Sequence, residues 1–157
     1  MKSKGFPNGK NDLRRGIDFI GVSCAFICHD GKGRILMHKR SSNCRDEQGH
    51  WDNGAGALEY GESLEKAVRR EVKEEYGADI KRLQFAGYLD VHRTLDDGTP
   101  THWVCIMHAA EVDPKQAKNN EPYKIDEIGW FEIDKLPSPL HSQSMNGIRA
   151  LQALNIL

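Results

Sequence analysis

Residues 56–78 read GALEYGESLEKAVRREVKEEYGA, and this stretch decides the fold because it contains the clearest helix of the chain. Its pattern predicts a helix from about Leu64 to Tyr76. Ser63 suits the N-cap position, where its side chain can accept a backbone hydrogen bond. Gly77 suits the left-handed residue that often follows a last helical turn. We therefore take this helix as the fixed point from which the rest of the chain is interpreted.

Acidic residues interrupt the apolar face of this helix. At about 100° per residue, one broad apolar arc is predicted, formed by Leu64, Ala67, Val68, Val72 and Tyr76. Glu71 and Glu75 fall near the middle of that arc, and Glu74 falls at its edge. Partly buried like charges four residues apart repel each other, so something must offset the cost. A divalent cation would do so, and a buried ion pair with Arg69, Arg70 or another cation is the alternative.

A glycine-rich segment, Gly54-Ala55-Gly56, directly precedes this region. Such a backbone can bring a carbonyl or an amide close to a metal ion or a phosphate. An ordinary turn would have the same composition. The segment alone therefore does not decide between the two.

The remaining chain alternates strand-like and polar stretches. Strands are predicted at 17–29, 34–40, 80–92, 101–112 and 127–133, separated by turns such as Asp96-Asp97-Gly98 and by polar loops at 41–49 and 113–124. A terminal helix is expected after Ser142 or Ser144, either of which can cap it, with Ile148, Leu151 and Leu154 on neighbouring faces. Mixed strands with two separated helices indicate an α/β or α+β sandwich.

Length and charge suggest one domain without a charged macromolecular partner. The 157 residues suit a single domain at 17–157, preceded by a flexible, basic N-terminal arm at 1–16. A net charge of −1 gives no general attraction to nucleic acid. The sequence has neither a membrane-spanning apolar run nor a signal peptide, so we expect a soluble cytoplasmic protein.

Cysteines and histidines give no pattern of a thiol or zinc centre. The cysteines form no CxxC pair, and free reduced thiols are expected at Cys24, Cys28, Cys44 and Cys105. The seven histidines are scattered without the spacing of metal ligands. We therefore predict no zinc chemistry.

Taken together, these residues resemble the Nudix box, G-x5-E-x7-R-E-U-x-E-E-x-G-U, where U is a bulky aliphatic residue. All seven fixed letters stand at the required spacing, as Gly56, Glu62, Arg70, Glu71, Glu74, Glu75 and Gly77. Ala78 departs from the pattern only by being smaller than the usual aliphatic residue. The order of the strands and the segment from Glu121 to Pro137 are also similar to the MutT-like members of this family.

The resemblance implies an α/β/α sandwich with a mixed sheet, in which the box forms a loop, a helix and a loop. It implies hydrolysis of a phosphoanhydride bond in a nucleoside diphosphate linked to a group X. The implied metal ligands are Glu71, Glu74, Glu75 and the carbonyl of Gly56, with Mg²⁺ as the cation and Mn²⁺ as an alternative. Arg70 would hold a box glutamate in place.

Three further roles remain open. Glu71 is our first candidate for the general base, and Glu121, also a candidate metal ligand, is the second, although it could equally be an exposed loop acid. Glu62 is implied in the hydrogen bonding of the box, and we place it with Arg40 among the substrate-binding residues. Arg40 could bind a phosphate or simply be a surface arginine.

The substrate is less well defined than the reaction. A nucleoside triphosphate is our leading hypothesis, with nucleotide sugars or other diphosphate compounds as alternatives. A non-catalytic ligand-binding domain of the same fold would usually lack box acids, and an isomerase would need a dedicated cysteine and a histidine-rich metal site. We expect a small-molecule partner, no stable nucleic-acid partner, no membrane, and compatibility with a homodimer.

Overall fold

The structure is a computed structural model that describes residues 13–157, so the predicted arm at 1–16 falls mostly outside the described residues. The described elements are β1 (Gly21–His29), β2 (Arg34–Arg40), β3 (Trp51–Asp52), β4 (Gly54–Ala57), α1 (Leu64–Tyr76), β5 (Ile80–Thr94), β6 (Pro100–Val112), β7 (Ile125–Glu132), a 3₁₀ turn (Ile133–Lys135) and α2 (Ser144–Ala153). Neither described helix is long and apolar enough to cross a membrane.

All seven strands belong to one mixed sheet with the order β3-β2-β1-β6-β5, to which β4 adds beside β1 and β7 beside β2. β1 and β6 run parallel, and the other pairs run antiparallel. Alternation along β1 separates two layers, because Phe26 packs with the core under α1 whereas Ile27 packs with the core under α2. The predicted α/β/α sandwich is confirmed.

A fork in the sheet positions the glycine-rich segment. β1 and β2 pair directly only through Cys28 with Leu36 and His29 with Ile35. Beyond that point β4 pairs with residues 23–26 of β1, and β3 pairs with residues 38–39 of β2. Residues 51–57 therefore fill the gap between the two diverging strands, and the chain leaves this gap to enter α1.

The central helix has the predicted bounds and caps. Ser63 Oγ accepts a hydrogen bond from the backbone N–H of Lys66 at 3.3 Å, and Gly77 adopts a left-handed φ of 65°. The first strand begins later than predicted, at Gly21 rather than Ile17. The reason is a turn, in which Gly16 N–H donates to the Phe19 carbonyl at 2.8 Å.

The capping prediction for the terminal helix is wrong. No side chain caps α2, and Ser144 is its first residue. The Ser144 hydroxyl donates instead to Asp52 Oδ1 at 2.9 Å, and the Ser142 hydroxyl donates to Glu47 Oε1 at 2.7 Å. The two serines thus attach the start of α2 to β3 and to the loop before it rather than to the backbone of the helix itself.

Candidate active site

Arg70 is the central connection between α1 and the segments that precede it. Its Nε and Nη2 each lie 2.9 Å from one oxygen of Glu62. Its Nη1 lies 2.5 Å from Glu71 Oε1 and 3.3 Å from Glu74 Oε2, and Nη2 donates to the Ala57 carbonyl at 3.3 Å. The ion-pair alternative raised by the helix pattern therefore applies to Glu71 and Glu74. Both oxygens of Glu62 are engaged, and its contact with substrate stays a prediction.

Glu75 is different, because it is buried and forms no ion pair with any side chain that the structure describes. It is 7% exposed, and among the described residues its Oε2 has no hydrogen-bond partner. Burial raises the pKa of Glu75 well above its usual value, and the charges of Glu71, Glu121 and Asp52 raise it further, against a backbone hydrogen bond from Ala55. A buried carboxylate oxygen without a hydrogen-bond partner destabilises the folded protein, and a cation bound beside it would offset that cost.

Two glycines bring the β4 backbone into contact with these carboxylates. A Cβ atom at Gly56 would lie 1.9 Å from both Cδ and Oε1 of Glu71. A Cβ atom at Gly54 would lie 2.0 Å from the Phe26 ring and 2.8 Å from Glu75 Oε2. The glycines of the segment 54–56 are therefore required for close packing and not only for a turn, because a side chain at Gly54 or Gly56 would collide with residues packed against that face of β4. The Gly56 carbonyl, a predicted metal ligand, accepts a weak hydrogen bond from the Cys24 thiol at 3.5 Å.

The three box glutamates differ in their freedom to move. Glu71 is half-buried, and burial raises its pKa while the hydrogen bond from Arg70 lowers it. The Glu74 side chain is 55% exposed. Their carboxylate oxygens, with those of Glu75, do not all lie within 4.8 Å of one another. For the three carboxylates to bind one cation together, at least one of these side chains must rotate. The exposed side chain of Glu74 can rotate at little energetic cost.

The loop before β7 contributes one predicted residue and one that the sequence did not single out. Glu121 Oε1 lies 2.7 Å from the Lys124 ammonium, and the charge of Glu121 raises the pKa of Glu75. The hydrogen bond to Glu121 raises the pKa of Lys124, and the charges of Glu75 and Glu71 raise it further. Glu121 thus lies within electrostatic reach of the box and is paired rather than a free loop acid. Lys124 places a cation beside the cluster.

A cavity of about 290 Å³ lies against the opposite side of β4. Arg40 lines it, but its guanidinium is already bound to Asp46 Oδ1 at 2.7 Å and to Asp52 Oδ2 at 3.3 Å. Arg40 is thus neither a plain surface arginine nor an unpaired charge. A phosphate would have to share it with two carboxylates, and its role in substrate binding stays a prediction.

Other polar residues of this cavity escaped the sequence analysis. Arg93 on β5 lies 3.1 Å from Asp46 Oδ2 and also pairs with Glu47. Asn53 donates to the Ser144 carbonyl at 3.2 Å, while its Oδ1 has no partner among the described residues. These residues come from separate loops and strands, and no local spacing in the chain could have grouped them.

The geometry around Arg70 predicts that charge alone cannot replace its planar guanidinium. We expect Arg70→Lys to lower kcat about tenfold and the free energy of unfolding by about 1–2 kcal/mol, because one ammonium cannot hold Glu62, Glu71 and the Ala57 carbonyl together. Steady-state kinetics and urea unfolding measure the two effects. Arg69→Lys is the matched control, since Arg69 is 44% exposed and pairs with an exposed glutamate. Equal behaviour of the two variants would contradict this role of Arg70.

The chain is similar in sequence to curated proteins of two kinds. The chain is 34% identical over 117 residues to an NAD-capped RNA hydrolase of Chromobacterium violaceum, covering 74% of this chain and 40% of that protein. It is 36% identical over 94 residues to an isopentenyl-diphosphate Delta-isomerase of Leifsonia xyli subsp. xyli, covering 56% of this chain and 51% of that protein. The chain thus spans about half or less of these curated relatives.

Solved structures match a larger share of the chain than these curated relatives do. A MutT NUDIX hydrolase from Burkholderia pseudomallei superposes with a TM-score of 0.74 at 29% identity, covering 85% of this chain and 98% of that one. The profile of the NUDIX domain matches residues 20–151. Because that match spans most of the described residues and the predicted fold is confirmed, this chain belongs to the Nudix family.

Proposed function

We propose that this protein is a divalent-metal-dependent hydrolase that cleaves a phosphoanhydride bond in a nucleoside diphosphate linked to a group X. The observation that carries the proposal is the buried, unpaired Oε2 of Glu75, surrounded by further carboxylates. In a protein without a bound cation this arrangement only destabilises the fold. A site retained at such a cost is typical of function rather than of packing.

The residues present fit a magnesium or manganese ion. Carboxylate oxygens of Glu71, Glu74 and Glu75, together with the Gly56 carbonyl, are oxygen ligands of the type that Mg²⁺ prefers. A cation bound there would supply charge neutralisation at the diphosphate and polarisation of the phosphorus. Arg70 would hold Glu71 and Glu74 in position, and Lys124 would offset the remaining negative charge.

A carboxylate must also accept the proton of the attacking water. Glu71 is our first candidate, because it is half-buried and its pKa is raised by burial, which makes it a better proton acceptor than an exposed glutamate. Glu121 is the second candidate, and its Oε1 is engaged by the Lys124 ammonium at 2.7 Å.

If Glu71 is the general base, replacing Glu121 should have only a limited effect on turnover. We expect Glu121→Gln to lower kcat by about tenfold or less, because the base at Glu71 remains and only the charge beside Lys124 is lost. Kinetics at saturating substrate and metal measure it, with Asp126→Asn, one residue into β7 and exposed, as the control. A loss above about 10³-fold in Glu121→Gln would assign the base to Glu121 instead.

The cavity beside β4 suits the nucleoside part of the substrate. It lies on the other face of β4 from the box glutamates, and it offers Trp103 for stacking and, as a hydrogen-bond acceptor, the Oδ1 of Asn53, which has no partner among the described residues. We place a nucleoside triphosphate first among substrates. Nucleotide sugars and dinucleotides remain alternatives, and the similarity to an NAD-capped RNA hydrolase adds capped RNA to the test.

A substrate panel tests the proposal. The full chain would be incubated with Mg²⁺ or Mn²⁺ and with dNTPs, oxidised dNTPs, nucleotide sugars, dinucleotides and NAD-capped RNA, and the products identified by mass spectrometry. Glu75→Gln serves as the matched inactive variant and excludes contaminating phosphatases. We expect metal-dependent turnover of at least one class. Ligand-induced thermal stabilisation without hydrolysis of any class would favour the ligand-binding alternative instead.

An isomerase is the second enzyme class to test, because one relative carries that name. The structure favours hydrolysis. Cys24 is fully buried, and burial raises the pKa of its thiol to about 11, so it is a poor acid or nucleophile at neutral pH. Among residues 13–157, no histidine forms a metal-ligand group with the box glutamates. We expect no isomerisation of isopentenyl diphosphate, as followed by NMR.

We also propose a cellular setting and an oligomeric state. We expect a small-molecule substrate rather than a stable macromolecular partner, action in the cytoplasm, and a monomer or a homodimer. Size-exclusion chromatography with light scattering distinguishes the two oligomeric states.

A further inference from the structure

The hairpin of β5 and β6 brings together two histidines and an aspartate. His92 and His102 are directly opposite each other in the strand register, and their rings stack with centroids 4.0 Å apart and planes 28° apart. Asp90 lies two residues before His92 and shares its face of the strand. The prediction that the histidines are scattered is therefore wrong for this pair, since strand pairing joins residues that lie ten positions apart.

The ligand atoms converge on one point. His102 Nε2 lies 2.8 Å from Asp90 Oδ1, and His92 Nε2 lies 3.3 Å from the same oxygen. One atom from each of the three residues lies within 4.8 Å of the other two. Ligands bound tetrahedrally at about 2.0–2.1 Å stand about 3.3 Å apart, so a small rotation of these side chains suffices to accommodate a metal ion.

Hydrogen bonding between the imidazoles and the carboxylate is the alternative explanation. It accounts for the lowered pKa of Asp90, which arises first from the hydrogen bond to His102. The same hydrogen bonds also direct both Nε2 atoms at this oxygen, so a metal titration has to separate the two explanations. Over the part of the chain that the structure describes, Asp90 forms ion pairs only with these two histidines.

We propose that Asp90, His92 and His102 form a binding site for a transition-metal ion of the zinc type, with an open coordination position toward solvent. Two imidazoles and one carboxylate select a borderline cation such as Zn²⁺ over Mg²⁺, which prefers oxygen ligands alone. The site is therefore chemically distinct from the box glutamates. It does not depend on the proposed hydrolase activity.

Its position gives the bound ion a structural consequence. Between Tyr88 and Thr94 the register of β5 is regular, so Val91 and Arg93 lie on the face opposite to Asp90 and His92 and line the cavity. A metal bridging β5 and β6 clamps the two strands that form this wall. We expect Zn²⁺ to stabilise the hairpin and to fix the spacing of the wall.

Calorimetric titration of Zn²⁺ into the full, untagged chain tests the proposal. Excess Mg²⁺ and a Glu74→Gln/Glu75→Gln background remove competition from the box glutamates. We expect one Zn²⁺ per chain, with an affinity at least about tenfold lower in His92→Ala and in His102→Ala, because even an outer-shell partner of a metal site is worth about 10–100-fold. His50→Ala is the matched control, since among the described residues the His50 imidazole is hydrogen-bonded only to the Gln48 carbonyl, at 3.2 Å.

A second measurement separates ligation from folding. Co²⁺ in place of Zn²⁺ should give visible absorption bands that disappear in both histidine variants, whose thermal unfolding without metal should match that of the parent chain. Both side chains are at least one third exposed, so their removal leaves the core unchanged. Zn²⁺ affinity that is equal in the parent, His92→Ala and His102→Ala would overturn the proposal, as would no stoichiometric binding to the parent.

Discussion

Glu75→Gln is expected to lose turnover by about 10³-fold while making the metal-free protein more resistant to unfolding. The catalytic loss follows because a neutral amide cannot hold a divalent cation, whose charge stabilisation contributes several kcal/mol, and about 1.4 kcal/mol corresponds to a factor of ten. The gain in stability follows because the substitution removes a buried charge that is surrounded by Glu71, Glu121 and Asp52. Each kcal/mol recovered should raise the Tm by about 2–4 °C.

The same variant should change the pH dependence of stability. Because the pKa of Glu75 is raised in the folded state, the folded chain binds more protons than the unfolded chain above the ordinary value of 4.5. The contribution of Glu75 to the stability of the metal-free wild type is therefore fully present below that value and is lost as the pH rises through the folded pKa. Urea unfolding in EDTA from pH 4 to 8 measures the decline, which should be smaller in Glu75→Gln.

Glu74→Gln provides the control for both parts of this prediction. The Glu74 side chain is 55% exposed, so its replacement should lower turnover without the gain in metal-free stability expected of Glu75→Gln. Mg²⁺ should raise the Tm of the wild type and have little effect on Glu75→Gln. If Glu75→Gln keeps full activity, or if its metal-free form is less stable than the wild type at neutral pH, the assignment of Glu75 is wrong.

Gly56→Ala is the second change with a large expected effect, and it should separate activity from folding. The added methyl group would stand 1.9 Å from the Glu71 carboxylate, so the carboxylate has to move by an ångström or more. A misplacement of about 1 Å at a reacting group can reduce the rate about 10²-fold, which we expect in kcat. The clashing atoms are at the end of a flexible side chain, so the free energy of unfolding should change by about 1 kcal/mol or less.

A double-mutant cycle tests this contact directly. In the Glu71→Ala background the methyl group meets no carboxylate, so Gly56→Ala should cause no further loss of activity. Additive losses in the cycle would show that Gly56 acts through some other contact than Glu71.

The sequence was sufficient where the responsible interactions are local. The bounds of α1 follow from a 3.6-residue repeat, from Ser63 and from Gly77, all within one segment. The same repeat placed Glu75 inward, and the structure confirms that it is buried. The Nudix resemblance then supplied the α/β/α layers that periodicity alone left undecided between two fold classes.

What the sequence could not provide are contacts between distant segments. Lys124 reaches the box only because the loop before β7 folds back toward α1. Arg93 meets Asp46 across 47 positions of the chain, and His92 meets His102 through the register of a hairpin. The predicted serine cap of α2 was wrong for a related reason, because both serines form hydrogen bonds with residues that are distant in the sequence. Each of these outcomes depends on which strands pair, and a single chain does not display that.

The fork filled by residues 51–57 has a consequence for how this protein could change over time. Gly54 and Gly56 exclude side chains from the face that meets Glu75 and Glu71, whereas the cavity lies on the other face of the same short strand. Under the proposed function, a single layer of backbone would separate substrate recognition from bond cleavage. Substitutions among the cavity residues would then change which ligands bind and leave the carboxylates on the other face of β4 unchanged.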